Sequence, residues 1–521
     1  MNFVTFEFLL FFLTTLTLWL LFAPFARLRL ALLLVCNLFF YSTAGRYYLP
    51  LLLGVGLFNW LMGKIIAKSS RWRKVWLFLG ICTNIFILGL FKYSEFFILE
   101  AQVFLSSFGI SLRLDTFLPE ALLELPFPIG LSFYVFQAIA YLAEIASKRQ
   151  RSESFFKVLL YLSFFPTILA GPIMRPWQFF PQIRFLLAGQ KIIALPGKPT
   201  RIQDESPLWD QEKEIIHGEN SQNILPVQGV AEQIPKALAF IVSGLFKKVV
   251  LASFLSEHVV RDVFQGPEAY SSLAVLTAVY GYAVQIFCDF SGYTDLALGL
   301  ALLLGFSLPQ NFNAPYLACN LQDFWRRWHI TLSTWLRDYV YIPLGGSRQG
   351  NRYVNLALTM ILGGLWHGAH ARFLVWGALH GFGLICVHGV HQCKSRFFPK
   401  DQKNGSSQKS WLGGFLGWLV TFHFVSLAWV FFRAEDMDKA LEILHRLFVW
   451  NQPGQGFLLL ALPAIGCGLL LQIMGRFIFT WFVHAQARLP VIFQALTTAL
   501  LTSMIFRMGP DGVLPFIYFQ F

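Results

Sequence analysis

Residues 269–322 read AYSSLAVLTAVYGYAVQIFC, then DFSGYTD, then LALGLALLLGFSLPQNFNAPYLACNLQ. The outer pieces (269–288 and 296–322) contain no Asp, Glu, Lys or Arg. Each is as long as a membrane crossing, which takes about 20 mostly apolar residues. Between them Asp289 and Asp295 bring two carboxylates close together in sequence. In hydrocarbon a chain must satisfy its own backbone N–H and C=O groups, and a helix does so within one segment. The stretch therefore predicts both solvent and secondary structure: helices in lipid, with ionisable groups at membrane depth.

The pattern recurs outward in both directions. Runs without Asp, Glu, Lys or Arg occupy 47–63, 75–91, 126–143, 353–371, 373–393, 411–432, 447–475 and 489–506. Residues 3–22 carry only Glu7, and 30–45 and 158–174 are also uncharged. By length these make roughly eleven to thirteen membrane-embedded segments, some interfacial or re-entrant. The expected fold class is an all-α integral membrane protein. The first segment has no basic residue ahead of it and no small-residue cleavage site, so it reads as a retained span.

Composition agrees. Of 521 residues 56% are hydrophobic and 13% charged, against about 25% charged in soluble domains. Fifty-six Phe and sixteen Trp exceed what a water-facing surface could hide. A disordered chain, a coiled coil, a disulfide scaffold and a nucleic-acid-binding module are excluded. Seven cysteines (Cys36, Cys82, Cys288, Cys319, Cys386, Cys393 and Cys467) form no C-x-x-C pair and mostly lie in apolar runs, where a thiol packs as a small hydrophobe.

The net charge of +13 reflects basic loops. Arg27 and Arg29 follow the first span, Lys64, Lys68, Arg71, Arg73 and Lys74 the third, and Lys148, Arg149 and Arg151 the fifth. Every second loop is basic, which places those loops in the cytoplasm and the N-terminus outside, with acidic Ser94–Glu124 external. Further on, 185–235 and 394–410 are too polar to span. A helix over 236–256 carries Lys247 and Lys248 midway and is expected at an interface. The predicted organisation is N-terminal spans over 1–112, a core over 125–393 interrupted by 185–235, and C-terminal spans over 411–521. No internal repeat supports an inverted-repeat transporter.

Ionisable residues at membrane depth are costly and mark function by default. Asp289 and Asp295, with Ser291, Gly292 and Tyr293 between them, either fix a helix break or neighbouring helices, or bind substrate. Residues 322–341 (QDFWRRWHITLSTWLRDYVY) read as one amphipathic helix. At about 100° per residue Trp325, Trp328, Leu332, Trp335, Leu336 and Tyr339 share one face, opposite Asp323, Arg326, Arg327, Thr331, Thr334, Arg337 and Asp338. His329 falls at the margin of the apolar stripe. The third candidate, 363–368 (GGLWHG), ends an apolar helix, and the glycines beside His367 permit close approach of backbone or ligand. An imidazole there suits a general base near neutral pH, or is a buried histidine donating to a carbonyl. His367/His370 and His388/His391 are spaced i, i+3, but no third ligand accompanies either pair, so no metal is expected. No G-x-S-x-G elbow, phosphate loop, dinucleotide fingerprint or zinc-protease motif occurs.

With these segments in view, the chain resembles the membrane-bound O-acyltransferase family, and within it the bacterial alginate O-acetyltransferase branch. The resemblance is carried by 125–134 (LPFPIGLSFY), 164–172 (FFPTILAGP), 289–295, 323–339 (DFWRRWHITLSTWLRDY), 344–346 (LGG), 363–368 and 515–521 (PFIYFQF). It implies a funnel-shaped helical protein with a central tunnel, His367 as the histidine needed for acyl transfer and His329 as the second of the pair. It implies a cytoplasmic acyl thioester donor such as acetyl-CoA, with no resident cofactor. The acceptor would lie outside a bacterial inner membrane, reached through a periplasmic accessory acyltransferase of a polysaccharide pathway; besides lipid, no other partner class is implied. Trp325, Arg326, Arg327, Trp328, Ser333, Arg337, Trp366, Asp289, Tyr293 and Asp295 are the expected substrate-binding or tunnel-lining residues. The arginines could attract coenzyme A phosphates, or pair with Asp323, Asp338 or lipid phosphate. Trp366, Trp325 or a backbone N–H could stabilise the oxyanion. D-alanyl transfer to teichoic acid, peptidoglycan acetylation and a non-enzymatic polysaccharide or lipid transporter are the alternatives. The polar insertion 185–235 is longer than that branch leads one to expect.

Overall fold

The computed structural model describes residues 1–93, 102, 105–106, 128–188, 230–397, 411–449 and 458–510. The acidic Ser94–Glu124 segment, most of 185–235 and of 394–410, the start of the 125–134 motif and the C-terminal PFIYFQF lie largely or wholly outside the described residues. Among the described residues the regular structure is helical, with no β-sheet. Nine of these helices, 18–33 residues long, are long and apolar enough to cross a membrane. The chain divides into two compact units.

The first unit holds α1 (Phe6–Leu21), α2 (Ala26–Ala44), α3 (Leu49–Lys68), α4 (Arg73–Lys92), α5 (Leu131–Ala146), α6 (Phe155–Ser163), α7 (Phe165–Ile168) and α8 (Pro176–Leu187). Large apolar side chains such as Phe6, Leu10, Phe78 and Phe86 point outward, as lipid allows. Inside, polar amides join the helices. Asn59 on α3 and Asn84 on α4 exchange two hydrogen bonds of 3.0 and 2.9 Å. In hydrocarbon such bonds have few competitors, and each contributes about 0.6–2 kcal/mol.

The run 158–174, expected as one embedded segment, is broken between α6 and α7. Pro166 lacks the N–H that a continuing helix needs. The Phe165 N–H at the break donates to Asn37 Oδ1 at 3.1 Å, so the interruption leaves that group satisfied.

The second unit begins within α9 (Val230–Leu245), from Pro235 onward. This helix continues through two π-helical turns, Phe246–Ala252 and Ser256–Val260, as far as Gln265. α10 (Ser272–Leu303) contributes through Gly299. Then come α11 (Leu321–Arg327), α12 (Ile330–Leu336), α13 (Arg352–His367), α14 (Ala371–Phe397), α15 (Trp411–Arg433), α16 (Met437–Arg446), α17 (Leu458–Ala487) and α18 (Val491–Met508).

Three sequence expectations change in this region. The DFSGYTD segment is no helix break: α10 runs through it uninterrupted. The apolar run 296–322 is not a crossing of its own, because α10 stops at Leu303 and Gly305 turns left-handed at φ +82°. The helix carrying Lys247 and Lys248, expected at an interface, is long and apolar enough to cross a membrane. Both lysines are buried, at 9% and 1% exposure. A lone lysine would be too costly at that depth, but these two face carboxylates, which removes the reason for placing them at a surface.

Candidate active site

α13 starts under an Asn351 cap, whose Oδ1 accepts the Tyr353 N–H at 2.9 Å, and ends at His367. Beyond it Gly368 is extended, and α14 returns alongside. The two helices touch through their glycines. A Cβ on Gly364 would collide with the Phe373 carbonyl oxygen, and one on Gly377 would sit 2.5 Å from the Met360 oxygen. The glycines of GGLWHG thus serve close helix packing, and that packing sets Trp376 against His367. The His367 ring is 6% exposed. Around it stand Trp366 at 4.7 Å, Phe432 at 4.8 Å and Trp376 at 5.1 Å, the last edge-on at 87°.

The sequence placed His329 on a continuous helix, but the structure breaks that helix at Trp328 and His329. His329 itself is left-handed, φ +41° and ψ +55°, between α11 and α12. For a non-glycine residue this conformation costs about 1–2 kcal/mol, so the surroundings must hold it. They do so by hydrogen bonds. Asn313 N–H donates to the Arg327 oxygen at 3.0 Å, and Ile330 N–H to the Asn311 oxygen at 2.9 Å. Asn311 Oδ1 accepts from both the N–H and the hydroxyl of Thr331. Ser333 Oγ closes the turn by donating to the Trp328 and His329 oxygens, 3.1 Å each. Ser333, predicted to bind substrate, therefore holds the backbone of the histidine.

The break turns His329 inward. Its ring is 1% exposed, meets Phe290 edge-on at 4.6 Å and lies 6.1 Å from the Trp366 ring. Both ring nitrogens are buried without a hydrogen-bond partner. Burial pushes its pKa down to about 3, so the imidazole is neutral with a lone pair available. His329 and His367 thus come from separate elements to the same indole, that of Trp366.

The other predicted residues divide into two groups. Trp325 and Trp328 join the aromatic cluster: Trp328 packs on Trp429 at 5.0 Å, and Trp429 stacks on Trp376 at 5.6 Å. Trp429 Nε1 donates to the Tyr316 hydroxyl at 3.2 Å, and Trp325 Nε1 to His380 Nδ1 at 3.3 Å. The charged residues are held in ion pairs. Arg327 Nε meets Asp323 at 3.0 Å and Arg337 Nε meets Asp338 at 2.7 Å; Arg326 is half-buried. Lys248 Nζ meets Asp289 at 2.5 Å and Lys247 Nζ meets Asp295 at 2.6 Å. Ser243 donates to the same Asp295 oxygen at 2.8 Å. Gly244 and Gly292 let the two helices approach closely enough for this, since a Cβ on Gly244 would lie 2.6 Å from the Gly292 oxygen. Tyr293 is fully buried on α10. Phe290, next to Asp289, is the residue that carries this helix to His329.

Sequence reasoning missed His380, Trp376, Trp429 and Phe432. The run 373–393 stands out for its lack of Asp, Glu, Lys and Arg, and a histidine does not interrupt such a run. The spacing Trp376-x-x-x-His380, one helical turn on a single face, was the available signal.

Comparison with known proteins matches residues 66–432 to the membrane-bound O-acyltransferase (MBOAT) family. A peptidoglycan O-acetyltransferase of Helicobacter pylori is 33% identical over 448 residues, covering 80% of this chain and 73% of that protein. A probable alginate O-acetylase of Pseudomonas putida is 33% identical over 430 residues, covering 81% and 75%. A teichoic acid D-alanyltransferase of Bacillus subtilis is 25% identical over 322 residues, covering 59% and 69%.

Proposed function

The chain belongs to the membrane-bound O-acyltransferase family, and from that premise we propose that it transfers an acetyl group from a cytoplasmic thioester, acetyl-CoA, towards hydroxyls of an extracytoplasmic polysaccharide. Acyl transfer is the family's chemistry, so the transporter alternative falls away. The observation that carries the reading is the placement of His367 and His329 around Trp366, two imidazoles within a buried aromatic cluster.

In this reading His367 is the general base. Its imidazole takes the proton of the acceptor hydroxyl as the oxygen attacks the thioester carbonyl. The tetrahedral intermediate collapses with loss of thiolate, which takes that proton back. The shell of Trp366, Trp376 and Phe432 keeps water away, which strengthens each electrostatic interaction inside it and suppresses hydrolysis. A donor to the oxyanion is required. Trp325 has given its N–H to His380, so Trp366 and the backbone beside it are the better candidates. Arg326, Arg327 and Arg337 supply the positive charge that would meet the phosphates of coenzyme A, with Arg327 and Arg337 also holding Asp323 and Asp338.

The exposed basic residues between α3 and α4 support a cytoplasmic side there and an N-terminus outside a bacterial inner membrane. The donor then arrives from the cytoplasm and the acyl group leaves on the outer side, received by a periplasmic accessory acyltransferase. The acetylating relatives, one acting on peptidoglycan by its name and one probably on alginate, favour acetyl over D-alanyl as cargo. Their equal identity makes peptidoglycan the second acceptor to test. Mass spectrometry of secreted polysaccharide and of peptidoglycan from a deletion strain, complemented with wild type or His367→Ala, decides. Acetyl esters return on the polysaccharide with wild type alone; their return on peptidoglycan instead names the second acceptor, and their return with His367→Ala refutes the base.

A further inference from the structure

His380 has no task in acyl transfer as described above, yet it sits one ring away from His367. It lies in the middle of α14, fully buried, with Trp376 at 4.7 Å, Trp325 at 5.2 Å, Phe424 at 5.8 Å and Phe324 at 6.2 Å. Its Nδ1 accepts the Trp325 indole N–H at 3.3 Å. That bond fixes the tautomer, because the accepting nitrogen carries the lone pair and the proton of the neutral ring must be on Nε2. Nε2 is buried without a hydrogen-bond partner.

A buried donor left unsatisfied is unfavourable, and a phenylalanine would fill this volume without one. What the imidazole supplies in exchange is an in-plane acceptor for Trp325. Trp325 in turn stands edge-on to Trp376, at 5.8 Å and 72°. Trp376 presents itself edge-on to His367, at 5.1 Å and 87°. Rings pack densely here, so the orientation of one indole is transmitted to the next by contact.

We propose that His380 is a positioning residue for acyl transfer: by holding the Trp325 indole it fixes Trp376, the wall against which the His367 ring rests. It does not touch the reacting atoms. The inference rests on the assignment of His367 as base.

The test uses the protein purified in detergent together with the periplasmic accessory acyltransferase, with acetyl-CoA as donor and alginate oligomers as terminal acceptor, following CoA release. His380→Phe keeps the ring and loses the acceptor. His380→Asn loses the ring but places Oδ1 where Nδ1 was. Misplacement of a base lowers kcat rather than donor binding, so His380→Phe loses about tenfold in kcat with KM for acetyl-CoA within about twofold. His380→Asn recovers kcat to within about threefold of wild type. A residue that merely filled space would rank the two in the opposite order. Trp325→Phe deletes the same bond from its other end, so combining it with His380→Phe gives no further loss in kcat. Wild-type kcat in His380→Phe, lower kcat in His380→Asn than in His380→Phe, or additive losses in the double variant overturns the proposal. His367→Ala, run alongside, separates the failures. If it stays active, the base assignment falls and this inference with it. If it is inactive while His380→Phe matches wild type, this inference alone falls.

Discussion

Replacing Lys248 by methionine removes one charge of a buried pair and leaves the other. Lys248 is 1% exposed and Asp289 6%, so the abandoned carboxylate has little water to turn to. Breaking such a pair costs about 3–5 kcal/mol, whereas replacing both partners by apolar residues of similar volume is often neutral. Lys248→Met or Asp289→Leu alone should therefore destabilise by about 3–5 kcal/mol, and the double variant should recover most of it. For 521 residues unfolding together the entropy is about 1 kcal/mol per kelvin, so each single variant lowers Tm by about 3–5 °C. The pair Lys247–Asp295 is the internal control. Its side chains are 11% and 19% exposed, so water can reach the orphaned charge and the corresponding loss is smaller. The assay is thermal unfolding of detergent-purified protein, followed by loss of the monodisperse peak. A Lys248→Met variant that melts with wild type, or a double variant no more stable than the singles, would refute the argument. Either result would mean that Asp289 does not depend on Lys248.

Other outcomes follow from the site. His329→Gly relieves about 1–2 kcal/mol of left-handed strain but empties the space of a ring that is 1% exposed, a loss of about 2–5 kcal/mol, so the variant is less stable and its turnover falls; unchanged turnover of the folded variant, measured as CoA release, would remove His329 from the site. Because burial depresses the His329 pKa, its neutral form contributes stability above the ordinary histidine pKa of 6.5, and this is lost as pH falls towards about 3. Melting curves between pH 7 and 5 should show a decline in wild type that is shallower in His329→Asn; parallel curves would contradict this. Gly364→Val drives a side chain into the Phe373 backbone, which cannot move aside, so the α13–α14 hairpin opens and activity disappears; a fully active variant would show that the close packing is dispensable.

Much of this was legible in the sequence. Long uncharged runs gave most of the spans, because in lipid the hydrophobic criterion and the hydrogen-bonding criterion select the same helices. His367 was legible too, as a polar residue ending an apolar helix beside glycines. What escaped was tertiary in origin. Lys247 and Lys248 suggested a surface because their carboxylate partners are remote in sequence, on α10. The break at His329 was hidden because 322–341 carries a complete amphipathic pattern. What overrides that pattern is Asn311 and Asn313, bonding from outside the helix. Runs such as 158–174 and 296–322 were long enough to span, but a proline in one and a left-handed glycine in the other end the helix early.

The central claim is that an imidazole at the end of α13 performs acyl transfer. Purified wild-type protein should release CoA from acetyl-CoA in an acceptor-dependent manner. His367→Ala, eluting and melting like wild type, should reduce that rate by at least about a hundredfold, the lower range for loss of a general base. A folded His367→Ala variant turning over acetyl-CoA at the wild-type rate would contradict the account.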